Sequence, residues 1–164
     1  MDDLLTIRAA TPNDEPFLWE ALYHAVYVPK GKPPLSRDIV NQPEITRYVS
    51  GWGRLCDRGV VAVMGNQPVG AAWLRLWMNG DNGFGYVDNH TPELSISVLP
   101  ECRGTGIGTR MMELLLNDPE TKFSGVSLSV TAENPAVRLY RRFGFETVET
   151  KGDSLTMIKR WRLK

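Results

Sequence analysis

The chain has two cysteines, two histidines and no excess of either charge. Cys56 and Cys102 lie far apart, which excludes a disulfide framework and a four-cysteine metal site. His24 and His90 share no ligand spacing with them, so no metal is expected. The 19 basic and 19 acidic side chains cancel, whereas a protein that wraps duplex nucleic acid carries a basic excess. The basic C-terminal run (Lys159, Arg160, Arg162, Lys164) is too short to alter that and reads as the solvated end of a last strand. No stretch approaches the ~20 consecutive apolar residues of a membrane span. Asp2 and Asp3 stand where a signal peptide carries base. A cytoplasmic location is expected, with neither nucleic acid nor membrane as partner. Internal repeats, linkers and low-complexity segments are also missing.

What is present suits one domain: 164 residues, 42% of them apolar. Residues 6–9 read as a strand. Thr11, Pro12 and Asp14 form a helix start, and Phe17, Leu18, Ala21, Leu22, Ala25 and Val26 keep helical spacing up to Val28. A second helix is expected over 39–49, with Pro43 kinking or splitting it. Residues 59–64 and 69–78 read as a hairpin around Gly65, Asn66, Gln67 and Pro68. The Gly- and Asn-rich stretch 79–91 is a loop. Period-two alternation marks strands at 93–99 and 126–130. Helices are expected at 106–116, burying Met111, Leu114 and Leu115, and at 134–143, ending at Gly144. An antiparallel pair, 145–150 and 155–161, closes the chain. The class is mixed α/β.

The chemistry concentrates after the strand at 93–99. Gly104, Gly106 and Gly108 strip a turn of side chains, so that its N–H groups can approach a ligand. The following helix begins with unpaired N–H groups and the positive end of its dipole. A phosphate fits there, and Arg103 adds a fork-shaped cation. Dinucleotide and Walker fingerprints fit poorly. The first needs a third glycine where Arg110 and Met111 fall, and the second a lysine after the glycines.

Arg103, Gly106 and Gly108 match the [Q/R]-x-x-G-x-[G/A] signature of the GNAT family of acetyl-CoA-dependent N-acetyltransferases. Asn134, Ala136, Leu139, Tyr140, Gly144 and Phe145 match that family's second motif, N-x-x-A-x-x-L-Y-x-x-x-G-F. The chain therefore resembles this family most closely over 93–145, and its element order fits throughout. The resemblance implies a single GNAT-like domain over 1–164. Its sheet would be mixed and mostly antiparallel, with about seven strands and four flanking helices, splayed between the fourth and fifth strands. It implies that acetyl-CoA is held by Ile96, Ser97, Val98, Arg103, Gly104, Thr105, Gly106, Ile107, Gly108, Thr109, Asn134, Ala136 and Tyr140. The pantetheine arm would pair with strand backbone near Ile96 to Val98.

Transfer from a thioester to an amine needs a neutral amine, a polarised carbonyl, close reactants and a protonated leaving thiolate. No protein nucleophile is required. The resemblance places the Tyr140 hydroxyl near the coenzyme sulfur as general acid. Glu93 opens the strand before the phosphate loop and is the candidate general base, with Asp88 and His90 as alternatives. A backbone N–H such as that of Val98 would polarise the carbonyl. Tyr23, Tyr27, Trp73 and Trp77 are candidate acceptor contacts, through apolar area and cation–π attraction. The expected activity is acetyl transfer from acetyl-CoA to a primary amine of a small molecule. The alternatives are a non-catalytic acyl-CoA-binding or sensor module and acylation of a protein N-terminus or lysine. The sequence leaves a homodimer open.

Overall fold

The computed structural model describes residues 4–78, 80–117 and 123–161. Asn79 of the expected loop and residues 162–164 of the basic tail lie outside these. Seven strands form one sheet: β1 (Leu5–Ala9), β2 (Arg58–Met64), β3 (Gln67–Arg75), β4 (Glu93–Val98), β5 (Gly125–Thr131), β6 (Glu146–Lys151) and β7 (Ser154–Arg160). Their order is β1-β2-β3-β4-β5-β7-β6. Every neighbouring pair is antiparallel except β4–β5. Four α-helices flank the sheet: α1 (Glu15–Ala25), α2 (Pro43–Thr46), α3 (Ile107–Leu116) and α4 (Ala136–Arg142).

Alternation along the strands divides the core in two. On one face Met111, Met112 and Leu115 of α3 and Val137 of α4 pack on Ala62, Ala72, Leu74, Leu94, Val126, Leu128 and Val130. On the other face Leu18, Ala21 and Leu22 of α1 pack on Tyr48, Val49, Trp52, Ala71, Trp73 and Trp77. α3 buries Met112 rather than Leu114, which is 49% exposed, because the buried stripe runs through 111, 112, 115 and 116.

The expected element boundaries shift where local chemistry wins. Thr11 and Asp14 form a capping box around a 3₁₀ turn, Pro12–Asp14, and α1 proper starts at Glu15 and stops at Ala25. The helix expected over 39–49 is instead a 3₁₀ segment, Arg37–Asn41, followed by the four-residue α2. Pro43 opens α2 at a position where its missing N–H is harmless, so it neither kinks nor interrupts a longer helix. The β2–β3 turn is two residues, Gly65 and Asn66, since Met64 already faces Gln67. Pro68 is tolerated inside β3 because the register shifts opposite it, at Ala62/Val63.

β4 and β5 share a single registered pair, Glu93 with Ser127, with Ser127 N–H donating to Pro92 O at 2.9 Å. Beyond that point the strands part, as the splayed sheet requires. The end of β3 beside this junction is fixed by a buried ion pair. Arg75 meets Asp57 at 2.9 Å through Nη2 and at 3.2 Å through Nε, and its Nη1 donates to Arg47 O and Ser50 O. Both side chains are nearly inaccessible, at 1% and 3%. Removing one partner strands the other charge in the core. Asp57→Ala should therefore lower unfolding stability by about 3–5 kcal/mol in a urea titration. A loss below about 1 kcal/mol, the range of exposed pairs, would show that Arg75 does not depend on it.

Candidate active site

The turn leaving β4 is built for close backbone approach. Gly104 and Gly106 have φ of 78° and 84°, in the left-handed region, and a Cβ at either would meet no heavy atom within 4 Å. The space over these glycines is thus open to a ligand. Gly106 caps α3, whose first N–H groups point outward with the helix dipole behind them. Thr105 turns away, its Oγ1 donating to Cys102 O at 2.7 Å. Arg103 is held at this turn by main-chain carbonyls. Its Nε donates to Val98 O at 3.0 Å and its Nη2 to His24 O at 3.4 Å, so it braces the end of β4 against α1 while remaining exposed.

A cavity of about 1010 Å³ extends from this turn. Of the expected coenzyme contacts it gathers Ile96, Ser97, Val98, Arg103, Gly104, Gly106, Ile107, Gly108, Thr109, Asn134, Ala136 and Tyr140, leaving out only Thr105. Leu99 N–H pairs with Val69 O of β3, and the backbone alternates, so the N–H groups of Ile96 and Val98 turn to the gap beside β5. Asn134 Oδ1 accepts from Ala136 N–H at 2.9 Å and so caps α4, which begins at Ala136 rather than at 134. Tyr140 lies on α4, 8% exposed, its ring edge-on to Phe145. Burial pushes its hydroxyl up to about 12, so the phenol stays protonated at neutral pH and available as a donor.

Glu93 is neither exposed nor at a sheet edge. It is 3% accessible, at the narrow end of the β4–β5 gap, and it does not line the cavity. Its Oε1 accepts from Trp77 Nε1 at 3.0 Å and Gly85 N–H at 3.0 Å, and its Oε2 from Tyr48 OH at 2.6 Å. The Tyr48 hydroxyl in turn accepts from Phe84 N–H at 2.7 Å. Desolvation raises the Glu93 carboxyl from 4.5 to about 7, outweighing the three donors that favour the anion. The loop over it has no room for side chains. A Cβ on Gly83 would lie 2.4 Å from Glu93 Oε1, and one on Gly85 would lie 2.7 Å from the Leu128 carbonyl carbon of β5.

The candidate acceptor contacts divide. Tyr23 and Tyr27 line the cavity, with the Tyr23 hydroxyl donating to Leu35 O and its ring under the Arg37 guanidinium. Trp73 and Trp77 do not reach it. Trp73 is core, donating to Tyr48 O, and Trp77 lies past the end of β3 as a donor to Glu93. Asp88 accepts from His90 N–H in the loop, and neither lines the cavity. Sequence reasoning missed the Tyr48 and Gly85 contacts to Glu93, and also Lys30, Lys32 and Arg142 on the cavity wall. The only signal for the loop contacts was the unusual density of glycine in 80–85.

Glu93 makes stability depend on pH in a calculable direction. Its folded value lies above its ordinary one, so the native state holds this proton more tightly than the unfolded chain. Its contribution is full below 4.5 and is lost as pH rises to about 7. Glu93→Gln should flatten the stability curve over that window in denaturant titrations at stepped pH. A slope identical to wild type would show that the carboxyl titrates as if exposed.

Comparison with known proteins agrees with this arrangement. The family model for the acetyltransferase (GNAT) domain matches residues 57–147. Among solved structures, the Brucella melitensis ribosomal-protein-alanine N-acetyltransferase superposes with a TM-score of 0.67 at 25% identity, covering 95% of this chain and 99% of that one. The yncA protein of Salmonella typhimurium, solved with its cofactor acetyl-CoA, gives 0.68 at 20% identity, over 98% and 96% of the two chains. PaiA N-acetyltransferase of Thermoplasma acidophilum, in complex with coenzyme A, gives 0.60 at 18% identity, over 96% and 99%. With over half of its length matched by the family model, its seven strands in this order and its glycine turn opening α3, the chain belongs to the GNAT acetyltransferases and is an acyltransferase.

Proposed function

We propose that the protein transfers the acetyl group of acetyl-CoA directly to a primary amine of a small molecule. One observation carries this: a single cavity joins the N-terminus of α3, the unpaired edge of β4 and the Tyr140 side chain. The residues suit the coenzyme. The open space over Gly104 and Gly106 admits a pyrophosphate against backbone N–H groups, and among the described residues no acidic side chain lines the cavity. When bound, acetyl-CoA supplies an activated thioester.

The chain's own groups do the rest. The N–H groups of Ile96 and Val98 face the gap, where they hold the pantetheine arm and polarise the carbonyl. Tyr140 gives its proton to the leaving sulfur. Glu93 receives the proton of the incoming ammonium, and its raised value suits that exchange near neutral pH. The neutral amine then attacks, a C–N bond forms and the C–S bond breaks, the proton shed by the new amide nitrogen replaces the one Tyr140 gave to the sulfur, and no covalent intermediate forms on the protein. Tyr23 and Tyr27 stand on the α1 side of the cavity as acceptor contacts.

A second reading is acylation of a protein N-terminus, favoured by the likeness to the Brucella ribosomal-protein-alanine N-acetyltransferase. A screen of thiol release separates the readings. It should cover amino acids, polyamines and aminoglycosides beside alanine-terminated peptides. Turnover confined to the peptides would replace the small-molecule reading, and binding without turnover would leave a sensor module. Gly106→Trp should abolish acetyl-CoA binding in calorimetry by filling the space over the turn, and unchanged affinity would refute this site. Tyr140→Phe should lower kcat by about 100-fold while leaving coenzyme affinity near wild type. Unchanged turnover would remove Tyr140 from the chemistry.

A further inference from the structure

We propose that Ser127 is a positioning residue of the transfer, whose hydroxyl hands the acceptor's proton to Glu93 at the point where β4 and β5 part. The inference rests on the acetyltransfer reading and adds the route to a carboxylate that does not reach the cavity wall.

Three observations converge on this side chain. Ser127 is the registered partner of Glu93 across the parallel pair, so both side chains leave the sheet on the same face. It is 0% exposed, and its Oγ has no protein hydrogen-bond partner among the described residues. Buried hydroxyls are nearly always bonded, so this one is held by a group outside the protein. Glu93 has the complementary opening. A carboxylate offers about four acceptor sites, and the protein fills two on Oε1 and one on Oε2. One site on Oε2 is left. Because Ser127 makes no direct bond, a single water between it and that site completes both groups.

The same face of the gap is lined with hydroxyls. Ser95 and Ser97 follow Glu93 at every second position of β4, and Ser129 and Thr131 follow Ser127 on β5. Ser97 Oγ is committed to Ala21 O, and Ser129 Oγ pairs with Ser154 Oγ. Ser95, Ser127 and Thr131 are the members without such a bond among the described residues; Ser95 stands on β4 between Ser97, which lines the cavity, and Glu93, so the route runs from the Ser97 end of the gap past Ser95 to Ser127. The acceptor ammonium loses one proton to this chain, each hydroxyl and the bridging water pass one on, and the last proton ends on Glu93 Oε2. The amine is left neutral, and no electrons change hands.

Other groups facing Glu93 do not compete for this role. Tyr48 donates to it and is pushed far above its ordinary value by burial, so it does not ionise. Arg75, opposite on β3, is committed to Asp57, and Arg47 donates to Asn82 O. No cation from β5 or the loop contacts the carboxylate among the described residues.

The test is Ser127→Ala, assayed with acetyl-CoA and whichever small amine or alanine-terminated peptide turns over fastest with wild type. Expected are unchanged acetyl-CoA affinity by calorimetry, a melting temperature no lower than wild type, and kcat reduced about tenfold or more. The rise of kcat/KM with pH should shift, and a proton inventory in mixed H2O and D2O should lose its multi-proton curvature. Ser127→Cys, of nearly the same shape with a weak donor, should recover part of the rate. If Ser127→Ala keeps wild-type kcat, pH profile and inventory, Ser127 has no part in the route, and the acetyltransfer reading stands. If wild type itself releases no thiol with any acceptor, that reading fails and this one with it.

Discussion

A single hydrogen-bonded register pair joins β4 to β5, and most of what this molecule can do follows from it. A parallel pair that continued would bury the N–H groups of Ile96 and Val98 in a ladder and close the sheet. By parting after Glu93 and Ser127, the strands leave backbone donors facing a cavity. The separation is maintained from both sides of the sheet. α3 and α4 hold one face through Met111, Met112 and Val137, while α1 is pinned to β4 by the Ser97 hydroxyl on Ala21 O. The Arg103 guanidinium, spanning Val98 O and His24 O, ties the far end of β4 to the end of α1. It braces the glycine turn that follows.

The cost of this opening is concentrated at Glu93. Burying a carboxylate is unfavourable unless donors meet it, and three do, from three separate parts of the chain. Tyr48 follows α2, Trp77 lies beyond β3, and Gly85 belongs to the loop before β4. The Arg75–Asp57 pair keeps the carbonyls of Arg47 and Ser50 in place, and hence Tyr48 between them. The network thus couples three separate segments of the chain to the Glu93 carboxyl at the root of the gap. Desolvation still wins over the donors, which leaves the carboxyl able to take or release a proton near neutrality.

The glycine turn and α4 were legible because their signals are local. Gly104 and Gly106 adopt the left-handed φ that their identity permits, and Asn134 accepts from the first N–H of α4. Alternation in 93–99 and 126–130 announced strands whose serines share a face, but the letters do not say which strands are neighbours. Tyr48, Trp77 and Gly85 lie 8 to 45 residues from Glu93 along the chain, beyond the reach of any periodicity. Trp73 and Trp77 illustrate the converse: a large aromatic reads alike as core or as ligand contact until its neighbours are known. Pro43 illustrates a third case, in which a breaker was evident and only the turns around it fixed whether it ended, kinked or began a helix.

Length, neutral charge, scarce cysteine and the two motifs by themselves determined an α/β fold with a glycine turn between a strand and a helix, because these depend on composition and on contacts within a few residues. Tertiary structure alone decided where β4 and β5 separate, that Glu93 is buried and protonatable rather than exposed, and that Ser127 lies opposite it with an unmet hydroxyl. Those properties depend on desolvation and on pairing across strands more than thirty residues apart, and neither is encoded in any short stretch of the chain.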